Sequence, residues 1–356
     1  MKKVVIIVCS VIIALILSII IFYKLNLRAV SSDSSNVEFL VDSGNTYYDV
    51  IKKLKKEGLI RNELVFKVYI KLNKESKIDA GKYTLRKNMS VSDIVKEFKK
   101  GNTYNPDAIV ITFKEGKNMR SIASTISKYT NNNENDVYEL LKDKEYLKSL
   151  IDSYWFISDD ILNDKIYYSL EGYLYPETYE FKNKDVSVKE IFKSMLDEMG
   201  KKLEPLKNDL EKLKYSTHEV LTLASIVELE GARSDDRAGI AGVFYNRLDS
   251  NWSLGSDVTT YYAAKVELNE RDLYKYEIDD KNDYNTRSSY LAGKLPIGPI
   301  CNPSIESIKA TIYPESNDYY YFVSDINGKT YFSKTNQEHL AIKADLIKEG
   351  LWYTYD

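Results

Sequence analysis

The residues most able to do chemistry lie in the stretch 221–248, LTLASIVELEGARSDDRAGIAGVFYNRL. Ser216 followed by Glu219 has the spacing of a capping box, so a helix is expected to start there. Leu221, Ala224, Ser225 and Glu228 then fall at i, i+3, i+4 and i+7, on one helical face. A carboxyl held against apolar groups has its ionised form disfavoured. That is the condition a general acid needs near neutral pH. Glu230 sits about 200° further round the same helix, so the two carboxyls point to different sides and make a poor acid–nucleophile pair. Gly231 ends the helix, and Ser234 is placed to cap the next one, with Asp235 and Asp236 at its positive end. Spacing alone leaves Glu228 as a solvated glutamate near a helix end, because most glutamates are exposed. The rest of the chain has to decide.

Further polar candidates are spread over later loops. Asn246 and Arg247 end the second helix, where they can hold Glu230 or a substrate group. Ser256 and Asp257 open a third helix, as caps or as cleft residues. Tyr284, Asn285 and Thr286, and Asn302 in LPIGPICNP, sit in loops rich in Pro, Gly and Asn, where binding residues tend to be carried. Glu171 and Glu177 flank a segment whose Gly172 and Pro176 argue first for a constrained turn.

Composition narrows the class. The 356 residues carry a net charge of −3 with both signs interspersed, and no basic block points to nucleic acid. Cys9 lies in an apolar run and Cys301 stands alone, so no disulfide framework is expected. With two histidines and no paired-cysteine or HExxH motif, neither a metal nor an organic cofactor is expected.

The positioning elements follow in order. Val4–Tyr23 has no charged residue and is long enough to span a bilayer. It ends without a small-residue cleavage site, so an uncleaved anchor is favoured over a signal peptide. A serine-rich spacer follows. The expected division is an anchor at 1–28, a linker at 29–36, a βα domain at 37–104 and a larger domain at 105–356. Val37–Val41, a Ser43–Gly44 turn and a helix over Tyr48–Leu59 are echoed by Ile109–Phe113, Glu115–Gly116 and Met119–Tyr129. Gly81–Leu85 with Ser90–Lys99, and Gly172–Phe181 with Ser187–Met195, form a second echo. Such units resemble LysM-like modules, which serve as glycan binders or as rigid spacers. One helix is expected over Asp136–Asp152, one broken at Pro205 over Lys189–Lys214, a hairpin at Asn327-Gly328 and a closing helix over Asn336–Ile347. The class is α+β, with one transmembrane helix, LysM-like βα units and a mixed α/β catalytic domain.

The ordered motifs ASIVELE, VFYNRL, SDxT, YNT, LPxGPIxNP, YYFV and a late EH resemble the signature of the endolytic murein transglycosylase (YceG-like) family. Val258, Ile297, Gly255 and Thr330 depart from the usual family residues, and none of these touches Glu228. The resemblance implies Glu228 as catalytic acid/base. It also implies cleavage of the MurNAc–GlcNAc bond in nascent peptidoglycan strands to 1,6-anhydro ends, near the membrane and beside peptidoglycan synthases. Glu230, Asn246, Arg247, Ser256, Asp257, Tyr284, Asn285, Thr286 and Asn302 are then expected around the substrate. The expected location is the cell membrane, single-pass, with a cytoplasmic N-terminus. A water-using muramidase with Asp257 or Glu177 as second carboxylate, and a non-catalytic glycan-binding scaffold, are the alternatives.

Overall fold

A computed structural model describes residues 2–42, 44–75, 78–100, 107–231, 233–268 and 270–352. The chain forms two compact units, Met1–Ala108 and Ile109–Asp356. Ser43 of the expected turn, and the expected boundary after residue 104, lie outside the described residues.

The first unit begins with α1 (Lys2–Asn26), of which Ile7–Asn26 has a mean hydropathy of 2.7 and no buried residue. That length and composition suffice to cross a membrane. Then come β1 (Asn36–Val41), α2 (Tyr47–Lys56), α3 (Glu63–Leu72), β2 (Gly81–Arg86) and α4 (Val91–Lys99). β1 and β2 pair antiparallel, with Val37 opposite Leu85 and Phe39 opposite Tyr83. Strict alternation along β2 turns Tyr83 and Leu85 inward, where Phe39, Leu54, Phe66, Ile94 and Phe98 complete the core. α3 was not expected; its cap is the Asn62 side chain, which accepts from Val65 N–H.

The second unit opens with β3 (Ile109–Thr112), α5 (Met119–Tyr129), α6 (Glu134–Leu140), α7 (Lys144–Ser153), β4 (Thr178–Phe181), α8 (Val188–Leu203) and α9 (Lys207–Leu210). β3 pairs antiparallel with β4, so both echoed strand pairs of the sequence are hydrogen-bonded partners. The single helix expected over 136–152 is two. Asp143 accepts from Glu145 and Tyr146 N–H, which starts α7 afresh.

The rest holds α10 (Thr217–Glu230), α11 (Arg237–Asp249), α12 (Asp257–Ala264), α13 (Lys275–Ile278), α14 (Ile305–Ile312), the hairpin β5 (Tyr321–Ser324) and β6 (Thr330–Ser333), and α15 (Asn336–Lys348). α10 opens with the Ser216–Glu219 capping box. It is apolar all round rather than on one face, as a fully buried helix is. Val220, Leu221 and Ala224 join one core, whereas Leu223, Ile226 and Val227 join another. Two cores meeting on α10 fix its axis, and with it the position of the carboxyls at its end.

Candidate active site

Glu228 lies in the last turn of α10, and its side chain is 6% exposed. Apolar groups do not surround the carboxyl, contrary to the expectation from helical spacing. Donors do. Arg237 Nη2 donates to Oε1 at 3.1 Å. Ser304 N–H, Ser304 Oγ and Ser307 Oγ donate to Oε2 at 2.9, 2.5 and 2.7 Å. Arg237 Nη1 also donates to Ser304 Oγ at 2.7 Å, which ties the guanidinium and the serine together. Ser304 is the N-cap of α14, so the carboxyl sits at the positive end of that helix.

Local sequence explains each placement. A Cβ on Gly231 would stand 2.7 Å from Arg237 Cγ and 3.0 Å from Val227 O, so only glycine lets Arg237 fold back over the end of α10. Ser234 does not cap the next helix. It lies in a 3-10 turn, and α11 begins at Arg237 behind Asp236, which accepts from Thr330 N–H instead. The loop that carries Ser304 is clamped to α10. His218 Nε2 bonds Ile297 O at 2.9 Å, Ile300 N–H donates to Ser225 Oγ at 3.0 Å, and Cys301 Sγ donates to Ser225 O at 3.3 Å.

Glu228 lines a cleft of about 510 Å³ with Glu115, Lys117, Arg120, Tyr261, Tyr262, Glu267 and Ile300. Glu115 belongs to the turn before α5. A Cβ on its neighbour Gly116, where φ is +70°, would meet Glu228 Cγ at 3.6 Å, so this turn lies against the Glu228 side chain. Burial pushes the Glu115 carboxyl up, and Glu228 and Glu306 add to the effect.

The other candidates occupy different places. Glu230 is half-buried and accepts from Ser256 Oγ at 2.5 Å. It lines a second cavity of about 350 Å³ with Arg247, Ser256 and Asp257. Asp257 is paired with Arg287 in that cavity, outside the Glu228 cleft. Asn246 latches to Asn317 and Tyr319 carbonyls at 3.0 and 2.9 Å. Arg247 donates from Nε to Tyr320 O at 2.7 Å and from Nη1 to Leu254 O. Tyr284, Asn285 and Thr286 are fully buried. Tyr284 Oη accepts from Tyr167 N–H, Asn285 Nδ2 donates to the carbonyls of Glu277, Ile278 and Asp280, and Thr286 Oγ1 accepts from Ser256 N–H.

Asn302 is buried and bonds Leu174 N–H, Lys117 O and Glu171 Oε1. Glu171 is buried beneath the cleft, where it also accepts from Met119 N–H and Tyr262 Oη. Burial pushes its carboxyl up to about 8. Glu177 is exposed and accepts from the adjacent Thr178 N–H.

Arg237, Ser304, Ser307 and Glu115 were not singled out from the sequence. A signal for Arg237 existed: a cation in the first turn of a helix opposes the macrodipole and needs another reason to be there.

The model of the YceG-like family matches residues 39–345. The chain belongs to the YceG-like family. A Bacillus subtilis (strain 168) relative, the endolytic murein transglycosylase, is 35% identical over 323 residues, which are 90% of this chain and 88% of that protein. A Streptococcus pneumoniae (strain D39) protein of the same name is 32% identical over 84% of this chain and 56% of its own length. The crystal structure of a yceG-like protein from Listeria monocytogenes is similar with a TM-score of 0.61 and 34% identity, over 86% of this chain and 99% of that one. Like its relatives, this family member is a lytic transglycosylase, a lyase.

Proposed function

We propose that this chain is a membrane-anchored endolytic transglycosylase that cuts the MurNAc–GlcNAc bond of nascent, uncrosslinked strands and leaves 1,6-anhydroMurNAc ends. Glu228 is its acid and then its base. The observation that carries this reading is the setting of Glu228: a carboxyl on a cleft wall, oriented by Arg237 and by two serine hydroxyls. A hydroxyl donates or accepts by rotation. Ser304 and Ser307 therefore serve the carboxylate and the carboxylic acid alike, as a group that gives up a proton and takes one back requires. Glu228 protonates the leaving oxygen, and its carboxylate then accepts the proton of the C6 hydroxyl as O6 closes on C1. That closure is intramolecular and gains from proximity, so no water or second carboxyl is needed. In this reading α1 anchors the chain with its N-terminus in the cytoplasm, the unit at 37–104 is LysM-like, as a glycan binder or a rigid spacer, and peptidoglycan synthases work alongside.

Glu115 favours one second reading. It stands in the same cleft and is the carboxyl best placed to activate water, ahead of Asp257 and Glu177. Mass spectrometry of the ends made from uncrosslinked strands separates the two. Anhydro ends uphold the lyase, and reducing ends uphold the muramidase.

A further inference from the structure

The cavity behind Glu230 has a role that bond cleavage does not use. Its walls carry Arg247, Arg287, His339 and Lys343 against Glu230 and Asp257, with Tyr321 and Trp352 as aromatic surfaces. The acids are already satisfied: Asp257 pairs with Arg287, and Glu230 accepts from Ser256. The donors are not. Arg247 bonds two carbonyls through Nε and Nη1 and stacks on Tyr321 at 5.7 Å, while Nη2 makes no such bond among the described residues. His339 Nδ1 is buried without a hydrogen-bond partner among the described residues. Lys343 lies 4.9 Å from the Trp352 ring. Burial and the charges of Lys343 and Arg247 hold His339 below its ordinary value, so two cations and an imidazole converge there. Such a lining suits a small anion with apolar atoms beside its charge.

The site is built into the same helix end as the candidate acid. Glu228 and Glu230 share the last turn of α10, and Val258 lines both cavities. The two sites are thus about one helix width, ~10 Å, apart. In peptidoglycan the stem peptide leaves C3 of the muramic ring whose C1 is attacked. A lactyl group and two residues span about 10 Å when extended. We propose that this cavity receives a free carboxylate of the stem peptide on the muramic acid held at Glu228. The proposal rests on the function proposed above.

The test is calorimetric titration of the full chain in detergent with N-acetylmuramyl-L-alanyl-D-glutamate and with its diamide. The acid is expected to bind at least about tenfold more tightly, the scale of one charge-assisted hydrogen bond. Lys343→Glu should abolish that preference and Lys343→Arg should keep it. Equal affinities for acid and amide in the wild type, or a preference that survives Lys343→Glu, overturn the proposal. If Lys343→Glu does not fold, the wild-type comparison decides alone. Wild-type cleavage of glycan strands is followed in parallel. Cleavage without charge preference overturns the stem site only, and preference without cleavage overturns the activity only.

Discussion

Replacing Arg237 by methionine tests the geometry around Glu228 on its own terms. The Arg237 and Glu228 side chains are 12% and 6% exposed, so this is a buried ion pair. Removing one partner of such a pair costs about 3–5 kcal/mol, because the other charge is stranded. Glu228 keeps its three donors from Ser304 and Ser307, which places Arg237→Met near the lower end, about 3 kcal/mol. Glu228→Gln costs less, about 1–3 kcal/mol, since Arg237 keeps Ser304 Oγ. In the double variant neither charge is stranded, so its cost should fall short of the sum by about 2 kcal/mol. Urea unfolding of the full chain in detergent reads this through Trp155, Trp252 and Trp352, all in the second unit. The single Arg237→Met change should lower the midpoint by roughly 1 M. Costs that add to within about 0.5 kcal/mol would show that the two side chains are not coupled and refute the arrangement.

Three further outcomes follow from the same contacts. Gly231→Ala should destabilise by about 1–3 kcal/mol and slow cleavage, although φ of −85° suits alanine, because its Cβ meets Arg237; unfolding and turnover measured together check this. Asn285→Ala leaves three carbonyls and Thr260 Oγ1 without their partner, so thermal unfolding should show a loss of about 3 kcal/mol or more. Glu171 takes up its proton more readily folded than unfolded, so its contribution is full below about 4.5 and is lost as pH rises towards 8. Stability should fall across that window by up to about 1.4 kcal/mol per pH unit from this group, and a Glu171→Gln variant should lack that slope.

Local signals were legible in the sequence where local physics sets them. The capping box at Ser216, the strand over Gly81–Leu85 and the turn at Asn327-Gly328 follow from neighbours in the chain, and the structure has them. The helix break at Asp143 was missed because apolar periodicity carries across a three-residue gap. The donors on Glu228 were missed because Ser304 and Ser307 stand 76 and 79 residues away, and no spacing rule connects them. The YNT and NP motifs mislead for a related reason. A polar residue in a Pro- and Gly-rich loop reads the same whether it faces substrate or satisfies buried carbonyls. Asn285 and Asn302 bond backbone and side chains of their own protein. The muramidase alternative drew on Asp257 and Glu177, whereas the carboxyl beside Glu228 is Glu115, brought there by a turn 113 residues earlier in sequence.

The most direct test of the central claim is cleavage of uncrosslinked glycan strands by Glu228→Gln beside wild type and Glu115→Gln, with folding verified by tryptophan fluorescence. The account predicts that Glu228→Gln makes no new 1,6-anhydro ends and that Glu115→Gln still makes them. Anhydro ends from folded Glu228→Gln at the wild-type rate would contradict it.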